Sequence, residues 1–122
     1  METDNRWNID LDWYDKNGCS FFAVAQGYFC PKCSKKIKST PSAGEVIQTI
    51  SGCCSRYSGF FKPNAPVLST VFQIFLKNGN QPLDVDDLSK ELALRRVQPA
   101  IPAERLERIL RTDNYYGLRP IR

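Results

Sequence analysis

The sequence predicts an α+β fold: a small cysteine-rich, metal-binding subdomain over residues 1–61 joined to a three-helix subdomain over residues 62–122. Three observations carry this. All five cysteines precede the segment Lys62-Pro63-Asn64-Ala65-Pro66, and none follows it. After that segment, apolar residues recur at helical spacing in three successive runs. Strand-like stretches stand near both ends of the chain. A length of 122 residues, 42% hydrophobic and 25% charged, fits one compact domain or two small ones sharing a core.

The elements follow in order. Trp7-Asn8-Ile9-Asp10-Leu11-Asp12-Trp13 alternates apolar and polar residues, the pattern of a half-buried strand. Asn17-Gly18 then turns the chain. Phe21, Phe22, Ala25, Tyr28 and Phe29 share one helical face behind Ser20, which is placed as an N-cap, so a short helix is expected to end at Cys30. Val46, Ile47, Ile50, Cys53 and Cys54 repeat that spacing and predict a second helix ending at the Cys53-Cys54 pair. In the second half, Leu68, Val71, Phe72, Phe75 and Leu76 mark a helix that stops at Asn78-Gly79-Asn80. Asp84 caps the next helix, with Asp86 and Asp87 in its first turn and Arg95 and Arg96 in its last, both ends complementing the helix dipole. Ile101-Pro102 opens a helix whose core face is Leu106, Ile109 and Leu110, and residues 114–120 read as a strand or wing-like extension.

Composition narrows the function classes. The absence of histidine removes Ser-His-Asp and Cys-His chemistry, histidine-ligated metals and the usual general base near neutral pH, so no enzyme is expected. No small-molecule substrate is evident. The net charge of +4 is spread over both halves, permitting an anionic partner without demanding one. No apolar run nears the roughly 18 residues of a membrane span, and the polar start METDNR has no apolar signal core, which points to a cytoplasmic protein without membrane attachment.

Cys30-Pro31-Lys32-Cys33 has the two-residue gap that lets two thiolates reach one metal ion from a tight turn. Nineteen residues separate Cys33 from Cys53, close to the interval between paired knuckles. The second pair is adjacent, and neighbours on a helix point about 100° apart, so Cys53 and Cys54 both ligate only where the helix frays. Cys19 is the rival ligand for Cys53 or Cys54; a helix over 20–29 sets it roughly 15 Å from Cys30, which leaves the ligand set as Cys30, Cys33, Cys53 and Cys54. Four thiolates suit structural zinc, and less well an iron–sulfur cluster; buried or redox-active thiols are the other reading. The CPKC resembles the knuckle of zinc-ribbon proteins. A thioredoxin-like role needs the motif at the start of a helix, whereas here it is expected to close one. Lys35, Lys36 and Lys38, beside Lys32, either contact phosphates or offset a tetrathiolate centre.

The stretch LDVDDLSKEL followed by IPAERLERILRTDNYYGLRP resembles the winged-helix superfamily of helix-turn-helix proteins in element order and spacing, over about half the chain. The resemblance implies that the helix at 102–112 enters the major groove of double-stranded DNA and that residues 113–121 form the wing. Helical geometry places Arg105, Arg108 and Arg111 opposite the core face, on the solvent side. The i,i+4 pairs Glu104–Arg108 and Glu107–Arg111 lie on that side too, as on an ordinary solvated helix. Tyr115 and Tyr116 are expected to divide, one packing inward and one outward. The functional expectation is DNA binding in transcription regulation with structural zinc. The alternative is a protein–protein interaction or assembly module, docking a partner or a second copy of the chain through the same face.

Overall fold

The computed structural model describes residues 6–37, 39–62, 64–95 and 101–121. Lys38 of the basic cluster and Arg96 at the end of the acidic-capped helix lie outside the described residues. The chain folds as the expected α+β class, with seven helices and a three-stranded antiparallel sheet among the described residues.

The alternating N-terminal stretch serves two elements instead of one. Strand β1 runs Arg6–Ile9 and stops, because Asp10 is an N-cap: its carboxylate accepts the Asp12 N–H at 3.1 Å and helix α1, Leu11–Lys16, begins behind it. Trp7 and Ile9 bury from the strand and Tyr14 from the helix, so both periodicities are satisfied in turn. Helix α2, Phe21–Ala25, starts at Ser20, whose hydroxyl accepts the Ala23 N–H, and tightens into a 3₁₀ turn at Gln26–Tyr28.

At the CPKC the sequence reading is corrected. The motif opens a helix: Cys30 is its N-cap and helix α3 runs Pro31–Lys36. Proline at the first helical position has no N–H to lose and a φ already suited to the helix. Helix α4, Ala43–Gly52, begins with a capping box in which Ser42 and Glu45 satisfy each other's backbone N–H groups, and it buries Val46, Ile47 and Ile50.

Helix α5, Val67–Lys77, is the centre of the molecule. The eight residues from Ser69 to Leu76 are all buried, so every side of this helix meets protein and not one stripe alone. Strand β2, Leu83–Asp84, leads into helix α6, Val85–Arg95, where the Asp84 carboxylate accepts the Asp87 N–H at 2.8 Å. Helix α7 runs Ala103–Arg111, and residues 114–120 resolve into a strand, β3, Leu118–Pro120.

The sheet order is β2-β1-β3, with Trp7 opposite both Leu83 and Pro120. Its middle strand therefore comes from the start of the chain and its edges from the second half. One hydrophobic cluster likewise takes Trp7, Tyr14, Val46 and Ile50 from the first half and Phe72, Leu88, Leu106 and Leu118 from the second. The two segments share a core. Asn80 extends the ladder where no strand exists: its side-chain oxygen accepts the Ile9 N–H at 2.8 Å and its amide donates to the Ile9 carbonyl at 2.9 Å. Its φ of 62° is a conformation asparagine tolerates better than alanine. Asn80→Ala loses both bonds and is expected to cost about 2–3 kcal/mol, read as a fall in the urea midpoint at unchanged slope.

Candidate metal centre and the arginine face

Three chain segments bring the cysteines together. The N-cap position places Cys30 at the mouth of α3, one helical turn carries Cys33 round to the same side, and α4 ends at Cys53. Cys53 has φ −136° and ψ −64°, outside helical values, and this break turns the Cys53 and Cys54 side chains into a common site. The sulfurs of Cys30, Cys33 and Cys53 lie within 4.8 Å of one another, and Cys33 and Cys53 are 3.5 Å apart. Cys54 is fully buried beside them and interacts electrostatically with the thiols of Cys30 and Cys33. The four cysteines lie close together and can hold a metal ion. Disulfide sulfurs sit about 2.05 Å apart, whereas tetrahedral thiolates at about 2.3 Å from one ion stand roughly 3.8 Å from each other. The observed spacing matches the second arrangement.

The thiol electrostatics agree with that chemistry. The Cys33 backbone N–H, aided by neighbouring thiols, holds Cys30 down to about 7 against the opposing effect of burial. Burial, with the adjoining thiols of Cys53, Cys30 and Cys54, pushes Cys33 up to about 12, and burial also raises Cys54. Negative charge is therefore favoured on Cys30 and disfavoured on Cys33 and Cys54. A cation supplies what the remaining thiols need to ionise together.

Cys19 stands apart. It is exposed and bonds only locally, its thiol donating to the Asn17 carbonyl at 3.4 Å. Lys35 and Lys36 are exposed in the last turn of α3, where positive charge suits the helix C-terminus.

On α7, Leu106 and Leu110 are fully buried and Ile109 half-buried, which fixes the opposite face outward. Arg105 and Arg108 are exposed, and among the described residues neither makes an ion pair. Arg111 is exposed as well but engaged: it pairs with Glu107 at 2.7 Å and lies 5.6 Å over the Trp7 ring. Only one of the two i,i+4 pairs on α7 thus forms.

The tyrosines divide as expected. Tyr116 packs on Phe72 with ring centres 5.0 Å apart, while Tyr115 is 58% exposed. Sequence reasoning missed the residue that sets this geometry. Asp113, buried at the end of α7, accepts the N–H groups of Tyr115, Tyr116 and Leu118 and so holds the turn into β3. An aspartate just after a helix, followed by asparagine and a glycine, was the available signal.

Among the described residues no helix is long and apolar enough to cross a membrane. The chain matches no protein-family model, no curated protein and no solved structure.

Proposed function

We propose that this chain is a DNA-binding protein of transcription regulation, in which α7 lies against duplex DNA and a structural zinc ion held by Cys30, Cys33, Cys53 and Cys54 cross-links α3 to α4. The observation that carries the nucleic-acid reading is the outer face of α7, where Arg105 and Arg108 project, without ion-pair partners among the described residues, from a helix anchored by Leu106 and Leu110. Guanidinium groups held on a rigid element suit phosphate and base-edge contacts. The succession α5, β2, α6, α7, β3 supports the winged-helix resemblance. Since β3 pairs with β1, the reading assigns base contacts to α7 and leaves segment 113–121 to hold the end of that helix. Lys35 and Lys36 supply nonspecific backbone contacts.

Zinc follows from the donor set. Four thiolates with no histidine make a closed tetrahedral site, which has no open position for water and is structural, not catalytic. Such a site needs reduced thiols, as the cytoplasm provides. An iron–sulfur cluster on the same four ligands would colour the protein; a colourless preparation containing zinc excludes it.

The test is fluorescence anisotropy with a generic duplex across a salt series. Micromolar binding that weakens steeply with salt is expected. Arg105→Ala with Arg108→Ala should then weaken binding tenfold or more, to order of magnitude, and reduce the salt slope by about 2. Unchanged affinity in that double variant would falsify the assignment. No binding at low salt would instead favour docking of a protein partner or a second copy, a reading that the exposed Tyr115 and the Glu107–Arg111 pair suit.

A further inference from the structure

The four cysteines are not equivalent. Cys30 and Cys54 are buried, 7% and 0% exposed, whereas Cys33 and Cys53 are half-buried at the edge of the core. Cys33 lines an open cavity of about 390 Å³ shared with Lys36, Ile37, Glu45 and Thr49. The neighbour at 3.5 Å from that sulfur is Cys53, carried by a different helix end. With zinc bound, Cys33 and Cys53 are both thiolates, and two thiolates side by side on separate segments are the arrangement of a reactive and a resolving cysteine.

We propose that Cys33 and Cys53 form a hydroperoxide-reactive dithiol, whose oxidation to a disulfide releases the metal. This rests on the zinc reading above. The Cys33 thiolate attacks one peroxide oxygen, the O–O bond breaks, and Cys33 becomes a sulfenic acid as hydroxide leaves. The Cys53 thiolate then attacks the Cys33 sulfur, the S–S bond forms, and a second hydroxide departs. In sum, two thiolates, one hydrogen peroxide and two protons give one disulfide and two waters, the two electrons passing from sulfur to peroxide. Zinc is left with Cys30 and Cys54 alone and dissociates as Zn²⁺. Lys36 and Glu45 both line the same cavity, one charge of each sign.

The experiment treats the zinc-loaded protein, as wild type and as Cys19→Ser to remove the exposed thiol, with stoichiometric hydrogen peroxide. Zinc release is followed with a chromogenic chelator. After thiol blocking, the cross-link is mapped by mass spectrometry without reduction. Release of one zinc per chain, a Cys33–Cys53 cross-linked peptide, and recovery with dithiothreitol and zinc are the expected results. Zinc retained under peroxide, or a cross-link joining Cys30 to Cys33, overturns the proposal. A chain that holds no zinc before oxidation overturns the metal reading itself. The disulfide mapped in that metal-free chain still decides whether Cys33 and Cys53 are the reactive pair.

Discussion

Cys33→Ser is expected to strip the metal from the chain and lower its unfolding midpoint by roughly 15 °C or more, while Cys19→Ser is expected to change neither. Position 33 makes the comparison clean. Cys33 is half-buried at the edge of the core, so a serine there disturbs packing less than one at a fully buried position. The same change at Cys54, which is 0% exposed, would also bury a hydroxyl and confound the two effects. Serine keeps the volume and removes the sulfur, so what is lost at 33 is one of the four proposed ligands. Structural zinc contributes apparent binding energies of about 10–16 kcal/mol in small metal domains. Whole domains are stable by only about 5–15 kcal/mol. Losing the metal therefore outweighs any packing change at this site. Zinc per chain by elemental analysis and a thermal melt read both consequences. A strong chelator should bring wild type to the midpoint of Cys33→Ser and leave that variant unmoved. One zinc retained by Cys33→Ser, or zinc lost from Cys19→Ser, would break the assignment of ligands.

The clustering of Cys30, Cys33, Cys53 and Cys54 was legible because thiol spacing is a local property. A two-residue gap and a helix ending at adjacent cysteines are written along the chain, and only the backbone break at Cys53 needed coordinates. Helical faces were legible for the same reason, as at Leu106 and Leu110. The polarity of the CPKC was not, although Pro31 was in view: apolar spacing through Phe29 outweighed the preference of proline for a helix start. Strand pairing was less accessible still. Trp7 meets Pro120 across nearly the whole chain, and no periodicity encodes a partner that distant. The capping of α1 by Asp10 and the strand-like bonding of Asn80 are polar decisions that interrupt apolar patterns. Burial of α5 on every side followed from what surrounds it, so its own residues suggested only one face.

Gly117→Ala is expected to destabilise the fold by about 2–5 kcal/mol, well beyond Gly18→Ala. Both glycines occupy the left-handed region, with φ of 72° at Gly117 and 65° at Gly18. An L-residue there costs about 1–2 kcal/mol at either position. The surroundings separate them. A Cβ at Gly18 meets nothing within 4 Å, so the conformational cost is the whole effect. A Cβ at Gly117 comes to 2.9 Å from the Tyr14 ring and 3.1 Å from that of Trp13. Tyr14 has no room to yield: it is 2% exposed, packs edge-on to Trp13 and Phe21, and donates its hydroxyl to the Tyr116 carbonyl at 2.6 Å. The backbone at 117 is held as firmly, since its carbonyl accepts the Asp10 N–H at 2.8 Å and Asp113 fixes both flanking N–H groups. A methyl group at 117 therefore pushes α1 away from the turn that joins α7 to β3, and strains β1 between them. Urea melts of the two variants measure the difference directly. Equal losses would mean that Tyr14 and Trp13 move aside freely, and that the turn after α7 is not clamped to α1 as its hydrogen bonds require.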